Sequence, residues 1–160
     1  MSVNRYKPHL YVFPEDDANR QLANGFVLAA ATSQIQILPE AGGWVRVRDS
    51  FASDHVNGMN RYPHRHMILL IDFDNDESRL QNVKKAIPID MTGRVFVLGT
   101  ISHPEKLRNA GLGAYESIGK ALAAECRDGV RTIWTHELLR HNADELDRLQ
   151  ASVCKSLFDQ

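Results

Sequence analysis

The chain has 160 residues, 43% of them hydrophobic and 24% charged, a composition that suits one globular domain with a real core. The formal net charge of −1 does not indicate strong, sequence-independent binding to nucleic acid, although a local basic surface remains compatible with it. No apolar run reaches the roughly 20 residues of a membrane helix, and residues 1–7 lack the apolar core of a signal peptide, so we expect a cytoplasmic protein without a membrane partner.

The chain begins with the pattern of a strand followed by a helix. Residues 9–13 are apolar and aromatic, which predicts a strand that Pro14 ends. Acidic residues follow and lead into a predicted helix over residues 18–31, because acids favour a helix N-terminus. Residues 34–38 alternate between apolar and polar and predict a second strand.

The next segment is less regular. Residues 39–43 are predicted as a loop, in which Gly42 and Gly43 permit unusual dihedral angles or a close backbone approach. Residues 44–51 fit either a short helix or a strand, and the pattern does not decide between them. Residues 57–66 are predicted as a loop because they contain Gly and Pro.

Residues 67–71 are a continuous apolar run that leads directly into three acids, Asp72, Asp74 and Asp76. A run of this kind is typical of a strand buried on both faces in a parallel sheet. Ligands of open α/β sheets bind at the carboxyl ends of the strands, and this is where the acids lie. We therefore predict a central strand with a functional site at its end.

The second half of the chain is predicted to contain one more strand, at residues 94–98, and mostly helix otherwise. Its remaining predicted elements are helices at residues 77–87, 115–126, 131–139 and 143–157, with a loop that contains some helix at residues 99–112. Alternation of strands and helices predicts an α/β fold: a mostly parallel four-stranded sheet flanked by helices, with a C-terminal helical layer. We expect a single domain over residues 1–160, with an α/β core at about 9–110 and C-terminal helices at about 115–158.

The two cysteines, Cys126 and Cys154, both lie in predicted helices. In a cytosolic protein, thiols that are buried in this way are usually free. We therefore expect free thiols and no disulfide.

Acids follow three of the predicted strands: Glu15, the series Asp72, Asp74 and Asp76, and Glu105. If the strands are parallel, these groups emerge at one edge of the sheet, where a hard cation such as Mg²⁺ or Mn²⁺ would relieve their repulsion. The alternative is that each acid caps the helix that follows it. We favour metal ligands for Asp72 and Asp74, since a cap needs one side chain and three acids are present.

Two other acidic motifs fit less well. A calcium-binding EF-hand loop that began at Asp72 would need Gly and Glu at positions occupied by Glu77 and Val83, so it is excluded. The phosphatase motif of the haloacid dehalogenase superfamily would need Thr or Val at Asp76, and that hypothesis is not favoured.

The order of these elements and motifs resembles a Toprim domain, the catalytic module of topoisomerases, primases and the overcoming-lysogenization-defect nucleases. In that fold the first strand ends in a glutamate and a later strand ends in Asp-x-Asp, and together they bind Mg²⁺. Glu15 matches the first motif, and Asp72 with Asp74 matches the second. The resemblance covers about residues 9–110.

The nuclease branch of this family adds two further similarities and two departures. Its glycine pair after the second strand is similar to Gly42-Gly43, which the resemblance implies to be substrate-binding, and its later glutamate is similar to Glu105. Asp16 stands where Toprim sequences usually have Gly, and Trp44 stands where the branch often has Lys.

The resemblance implies Mg²⁺-dependent or Mn²⁺-dependent phosphodiester or phosphoryl-transfer chemistry on nucleic acid or a nucleotide. Glu15 would be catalytic, by positioning a general base or by binding metal. Asp72 and Asp74 would be the main metal ligands, and Asp76 and Glu105 would be further ligands. The alternative is a catalytically inactive Toprim-like scaffold that serves as a regulatory or interaction subunit for a protein partner.

The histidines suggest weaker hypotheses. His64 and His66 are two apart and could bind zinc from one side of an extended segment, but surface or hydrogen-bonded histidines are favoured. His136 is favoured as part of a helical corner over a catalytic role. Asn142 followed by Glu145 has the spacing of a capping box, which predicts that Asn142 caps the last helix.

Overall fold

A computed structural model of the chain describes residues 3–30 and 33–157 and shows an α/β fold. Its four-stranded sheet has the order β2-β1-β3-β4, and every pair of neighbouring strands is parallel. The strands are β1 (His9–Pro14), β2 (Ile35–Ile37), β3 (Arg65–Leu70) and β4 (Val95–Leu98). The predicted fold class is therefore confirmed.

Eight α-helices surround this sheet in the described residues. Two π-helical turns, Phe51–His55 and Gln150–Cys154, continue one α-helix directly into the next. The helices are α1 (Asp17–Ala29), α2 (Trp44–Ser50), α3 (Val56–Arg61), α4 (Ser78–Lys84), α5 (Pro104–Asn109), α6 (Tyr115–Asp128), α7 (Ala143–Leu149) and α8 (Lys155–Leu157). Residue 31, the predicted end of the first helix, and residue 158, the predicted end of the helical layer, lie outside the described residues.

Two elements differ from the prediction, and one open choice is resolved. Residues 44–51 are helical, and the helix continues to Arg61 through much of the predicted loop at 57–66. The predicted helix at 131–139 is wrong, since turns and the 3₁₀ helix Arg140–Asn142 occupy this region. The reason is tertiary: the carboxylate of Glu125 accepts hydrogen bonds from the backbone N–H groups of the segment, at 2.9 Å from Ile133 N.

The sheet separates two apolar clusters, which explains the buried character of its central strand. One cluster packs the sheet against α1, α6 and the C-terminal helices, and the other packs it against α2, α3 and α4. β3 lies between β1 and β4, and its residues Met67 to Leu70 are at most 4% exposed. The predicted position of this strand at the centre of the sheet is confirmed.

Helices α1 and α6 cross at two glycines. A Cβ atom on Gly25 would meet the backbone of α6, at 2.5 Å from Lys120 N, and a Cβ atom on Gly119 would overlap the Leu22 carbonyl oxygen. The absence of side chains at both positions lets the two backbones touch. This contact fixes α1, and with it the residues of its first turn.

Helix α7 and the turn before it cover the open edge of β4, and this corrects the predicted capping box. The Asn142 side chain does not cap α7. It accepts a hydrogen bond from Gly99 N at 3.1 Å and donates to Gly99 O at 2.9 Å, while Glu145 accepts from Val97 N at 2.9 Å. The two polar residues therefore satisfy backbone groups that an edge strand would otherwise leave unpaired.

Cys126 and Cys154 form a disulfide, so the expectation of free thiols is wrong. Their Cα atoms are 5.8 Å apart, within the normal range for this bond, and both residues are buried between α6 and the C-terminal helices. The sequence pattern placed each cysteine on an apolar face, but only the packing of those faces brings the two sulfurs together.

Across residues 3–30 and 33–157, no helix has both the length and the apolar character that a bilayer crossing requires.

Candidate functional site

Glu15 and Asp72 meet at the carboxyl edge of the sheet, as the parallel strands predict. Glu15 follows β1 and Asp72 lies two residues beyond β3, and these two strands are paired neighbours with Pro14 opposite Leu70. Oε2 of Glu15 accepts a hydrogen bond from the backbone N–H of Asp72 at 2.5 Å. Glu15 is buried, with 8% of its surface exposed.

The first turn of α1 adds a third carboxyl group and an amide to this pair. Asp16 is the N-cap of α1, and its Oδ1 accepts from Asn19 N at 3.0 Å and from Asn19 Nδ2 at 2.9 Å. Asn19 Nδ2 also donates to Asp72 Oδ1 at 2.8 Å, so the amide links the two carboxyl groups. Asn19 is fully buried, and its Oδ1 has no hydrogen-bond partner in the described part of the chain.

The charge of this cluster is disfavoured by its surroundings. Burial, followed by the nearby charges of Asp16 and Glu15, raises the pKa of Asp72 to about 7 in spite of the hydrogen bond from Asn19. Burial also raises the pKa of Glu15, against the opposing effect of the Asp72 N–H. The cluster therefore retains protons at a pH where ordinary carboxyl groups are ionised.

We expect Asp72→Asn to stabilise the fold at pH 8 and to change little at pH 4. Because the folded-state pKa lies above the ordinary value of about 3.9, the folded chain binds more protons between these values, and the wild type loses stability as the pH rises through them. The neutral amide of the variant does not ionise, so its stability does not fall in this way. The difference in the free energy of unfolding between the variant and the wild type should grow to about 2 kcal/mol at pH 8, a figure discounted for partial exposure.

Urea denaturation at both pH values measures this difference. Asp74→Asn is the matched control, because it makes the same replacement two residues away at an exposed side chain. A variant at Asp72 that is less stable than the wild type at pH 8 would contradict the prediction and would identify the ionised carboxylate as a structural acceptor.

Arg79, in α4, provides a positive charge beside the acids. Its Nη1 donates to the Asp72 carbonyl oxygen at 3.0 Å, and its Nη2 lies 3.5 Å from Asp74 Oδ2. Its guanidinium carbon is 5.1 Å from the centroid of a Trp44 ring, within the range of a cation–π contact. The Trp44 ring thus packs against an arginine in this structure.

The remaining predicted acids do not join Glu15 and Asp72 in direct contact. Asp74 is directed to Arg79, and Asp76 accepts from Ser78 N at 3.0 Å just before α4, whose N-cap residue is Glu77. The hydrogen bonds from Ser78 lower the pKa of Asp76. Glu105 lies exposed in the first turn of α5.

The backbone after Asp72 is unusual. Asp74 and Asn75 have φ angles of 48° and 59°, in the left-handed region that residues other than glycine seldom enter. Asp and Asn tolerate this region better than most residues. The backbone N–H groups of this turn donate to the segment that follows β4, at 3.0 Å from Asp74 N to Ser102 O and 2.6 Å from Asn75 N to Ile101 O.

Gly42 and Gly43 support the Glu15 backbone. Their N–H groups donate to the Glu15 carbonyl oxygen at 2.8 and 3.2 Å, and their φ angles are 91° and 145°. These conformations favour glycine, which explains the pair. Their predicted role in substrate binding stays a prediction.

The histidines lie outside the cluster. His64 is exposed, and the half-buried His66 stacks on Phe96 with ring centroids 6.5 Å apart. His136 Nδ1 accepts from Leu138 N at 3.1 Å, within the turn that precedes α7. His141 lies edge-on to Phe73, at 4.9 Å between ring centroids, in a groove of about 530 Å³ that Leu80 and Ile101 also line.

Sequence reasoning missed three of the residues that build this site: Asn19, Arg79 and Asp16 in its role as a helix cap. The spacing of Asp16 and Asn19, three apart at the start of a predicted helix, is an N-cap signal that was available. No comparable pattern marks Arg79. In the part of the chain that the structure describes, no three His, Cys, Asp or Glu side chains already have the arrangement of a metal site.

Searches against protein-family models, curated proteins and solved structures each found no match to this chain.

Proposed function

We propose that the carboxyl-edge cluster binds Mg²⁺ or Mn²⁺ and supports phosphodiester or phosphoryl-transfer chemistry on nucleic acid, in a Toprim-like manner. One observation carries the proposal. Two largely buried carboxyl groups, Glu15 and Asp72, lie at this edge, and the Glu15 carboxylate accepts a hydrogen bond from the Asp72 backbone N–H. The Asn19 amide links Asp72 to a third carboxyl group, Asp16, and the pKa of Asp72 is about 7. Perturbed carboxyl groups at the carboxyl edge of a parallel sheet are typical of functional sites.

The donor set fits a magnesium ion. Mg²⁺ is usually held by one or two carboxylates and retains several waters, so Glu15 and Asp72 suffice as protein ligands. The buried Oδ1 of Asn19 has no partner among the described residues, and it is available to accept a hydrogen bond from such a water. Thr100 Oγ1 and Ser102 Oγ, which follow β4 at the same edge, are likewise buried without a partner.

The cation would polarise a phosphoryl oxygen or lower the pKa of a bound water. In the proposal, Glu15 and Asp72 release their protons and hold the cation, and Asn19 keeps Asp72 oriented. Arg79 provides a guanidinium that can bind a phosphoryl oxygen. A separate groove, lined by Phe73, Leu80 and His141, offers an apolar surface to a nucleobase.

The second candidate function is an inactive scaffold that binds a protein partner. It is favoured by the satisfied contacts of individual acids: Asp16 and Asp76 each bind a backbone N–H near a helix start, and Asp74 is directed to Arg79. The two candidates differ in the response to metal, which can be measured directly.

We expect millimolar Mg²⁺ or Mn²⁺ to raise the melting temperature of the wild type. A cation that binds only the folded chain stabilises it by about 2.7 kcal/mol at a hundredfold excess over Kd, which corresponds to roughly 5–10 °C for a chain of this size. The double variant Asp72→Asn with Asp74→Asn should melt higher than the wild type without metal and should not respond to it. Titration calorimetry gives the stoichiometry.

The matched control is Asp128→Asn, which removes an exposed carboxylate that pairs with Arg127 at the end of α6. It should leave the metal response unchanged. A wild type indifferent to both metals, together with a destabilised double variant, would refute the metal site and leave the scaffold function. If metal binds, cleavage of labelled oligonucleotides by the wild type and its loss in Glu15→Gln separate an enzyme from an inactive metal-binding protein.

A further inference from the structure

Three arginines surround one tyrosine at the amino edge of the sheet. The guanidinium carbons of Arg5, Arg61 and Arg65 lie 5.4, 5.5 and 4.7 Å from the centroid of the Tyr62 ring. Arg5 Nη1 also donates to Tyr62 Oη at 3.4 Å. Each contact is within the range of a cation–π interaction, and together they hold three like charges around a single ring.

Arg65 is the buried member of this group and has no carboxylate partner in the described residues. It is 6% exposed, and its Nε and Nη2 donate to His9 Nε2 and Tyr11 Oη, each at 3.0 Å. Its guanidinium carbon lies 4.1 Å from the centroid of the Tyr11 ring. Buried charges in proteins are normally paired with an opposite charge, so an anionic ligand would stabilise this guanidinium.

The neighbourhood increases the positive character of this edge. No ion pair within residues 3–30 and 33–157 involves Arg5, Arg61 or Arg65. Burial, followed by the positive charge of Arg5, lowers the pKa of Arg65. Lys7 and His64 lie exposed close by in the chain. A chain with a net charge of −1 thus has a cationic surface with which no acid among the described residues forms an ion pair.

An exposed aromatic ring adjoins these cations. Tyr6 is 82% exposed, and its ring centroid lies 6.2 Å from that of Tyr62, at an angle of 70°. A solvent-exposed ring beside clustered guanidinium groups offers a stacking face next to phosphate-binding donors. This is the combination that proteins use for single-stranded nucleic acid, in which the bases are free to stack. An acidic peptide would satisfy the arginines but would leave the ring without a function.

We infer that the surface formed by Arg5, Tyr6, Arg61, Tyr62 and Arg65 binds single-stranded nucleic acid, with phosphates at the arginines and a base on Tyr6. This surface is distinct from the acidic cluster. Strands β1 and β3 start at the amino edge and run for six residues, about 20 Å, to the carboxyl edge where the acids lie. The inference therefore does not depend on the proposed metal site.

Fluorescence anisotropy with a labelled 12-nucleotide oligo-dT or oligo-U, in EDTA, tests this surface without any contribution from divalent metal. The double variant Arg5→Gln with Arg61→Gln, both at exposed positions, should weaken binding at least tenfold. Each phosphate-neutralising cation contributes about −0.7 to the slope of log K against log salt for a single strand. The slope should therefore change from about −2 to about −0.7.

Two matched variants sharpen the test. Lys106→Gln with Lys120→Gln removes two exposed cations elsewhere on the surface and should leave affinity and slope unchanged. Tyr6→Ala should weaken binding at least about fivefold through lost stacking, and Tyr6→Phe should restore it. Circular dichroism of each variant confirms that the fold is retained.

Three outcomes would overturn the inference. The first is an oligonucleotide that does not bind at micromolar to millimolar protein concentrations in low salt. The second is an affinity that survives the Arg5 and Arg61 replacements. The third is poly-glutamate of equal charge that competes as well as the oligonucleotide does, combined with a Tyr6→Ala variant whose affinity is unchanged. That result would assign the surface to an acidic protein partner instead.

Discussion

Gly99→Ala is expected to destabilise the fold by about 3 kcal/mol or more. A Cβ atom on Gly99 would overlap the Ile71 carbonyl oxygen and would lie 2.8 Å from the Ile71 carbonyl carbon, both of them backbone atoms that cannot rotate away. Overpacking of a well-packed interior usually costs about 1–3 kcal/mol, and a clash between two backbones just beyond the ends of β3 and β4 belongs at or above the upper end of that range.

Urea denaturation of the wild type and the variant measures this cost. Gly93→Ala is the matched control, because a Cβ atom there has no neighbour within 4 Å and its φ angle is not in the left-handed region. That variant should remain within about 1 kcal/mol of the wild type. If both variants are equally stable, Gly99 is not required for the approach of β3 and β4.

Gly99 also affects the candidate site through Ile71. Ile71 directly precedes Asp72, whose N–H donates to Glu15. A residue at position 99 that pushes Ile71 aside would also move this N–H away from the Glu15 carboxylate. We therefore expect Gly99→Ala, if it folds, to weaken metal binding at the carboxyl edge as well.

Asn142→Leu is expected to cost about 3–4 kcal/mol in the free energy of unfolding. The Asn142 side chain binds Gly99 N, Gly99 O and Leu139 O at 2.9–3.1 Å, all in a buried setting. Leucine has a similar size but no polar atoms, so it would leave one buried N–H and two buried carbonyl groups with fewer partners, at about 1–3 kcal/mol for each that is left unsatisfied.

The comparison that isolates this effect is Asn109→Leu, the same replacement at an exposed position near the end of α5. It should change stability by less than about 0.5 kcal/mol. Asn142→Asp retains the acceptor for Gly99 N and loses the donor, so it should fall between the wild type and the leucine variant. A leucine variant within 1 kcal/mol of the wild type would contradict the assigned role of Asn142 at the edge of the sheet.

The two ends of the sheet carry opposite charge, and this separation has consequences for function. The carboxyl edge concentrates Glu15, Asp16 and Asp72, and the amino edge concentrates the arginines around Tyr62. Overall charge conceals both, because 19 basic and 20 acidic residues nearly balance over the whole chain. A strand of nucleic acid held at the amino edge and a metal held at the carboxyl edge would be separate functions that separate variants can remove.

The sequence alone determined that the strands are parallel and which of them is central. Four apolar runs separated by helical patterns predict a parallel sheet, and the unbroken run at residues 67–71 predicts its central strand. Because parallel strands end at one edge, the meeting of Glu15 and Asp72 was also predictable from the sequence. These features depend on local periodicity and on a rule of topology, and neither requires knowledge of which side chains touch.

Tertiary structure alone decided which partners the polar side chains have. Asn142 has the spacing of a helix cap but binds the edge of β4, and Glu125 holds a segment in turns that its own pattern predicts as helix. Arg79 reaches Asp72 from α4, and Arg65 meets His9 because β1 and β3 start side by side at the amino edge.

The disulfide of Cys126 and Cys154 follows the same rule, since 28 residues separate the cysteines and only the packing of their helices joins them. Apolar burial follows a period along the chain that can be read locally. A hydrogen bond, an ion pair or a disulfide between distant residues depends on geometry that exists only after the core has formed.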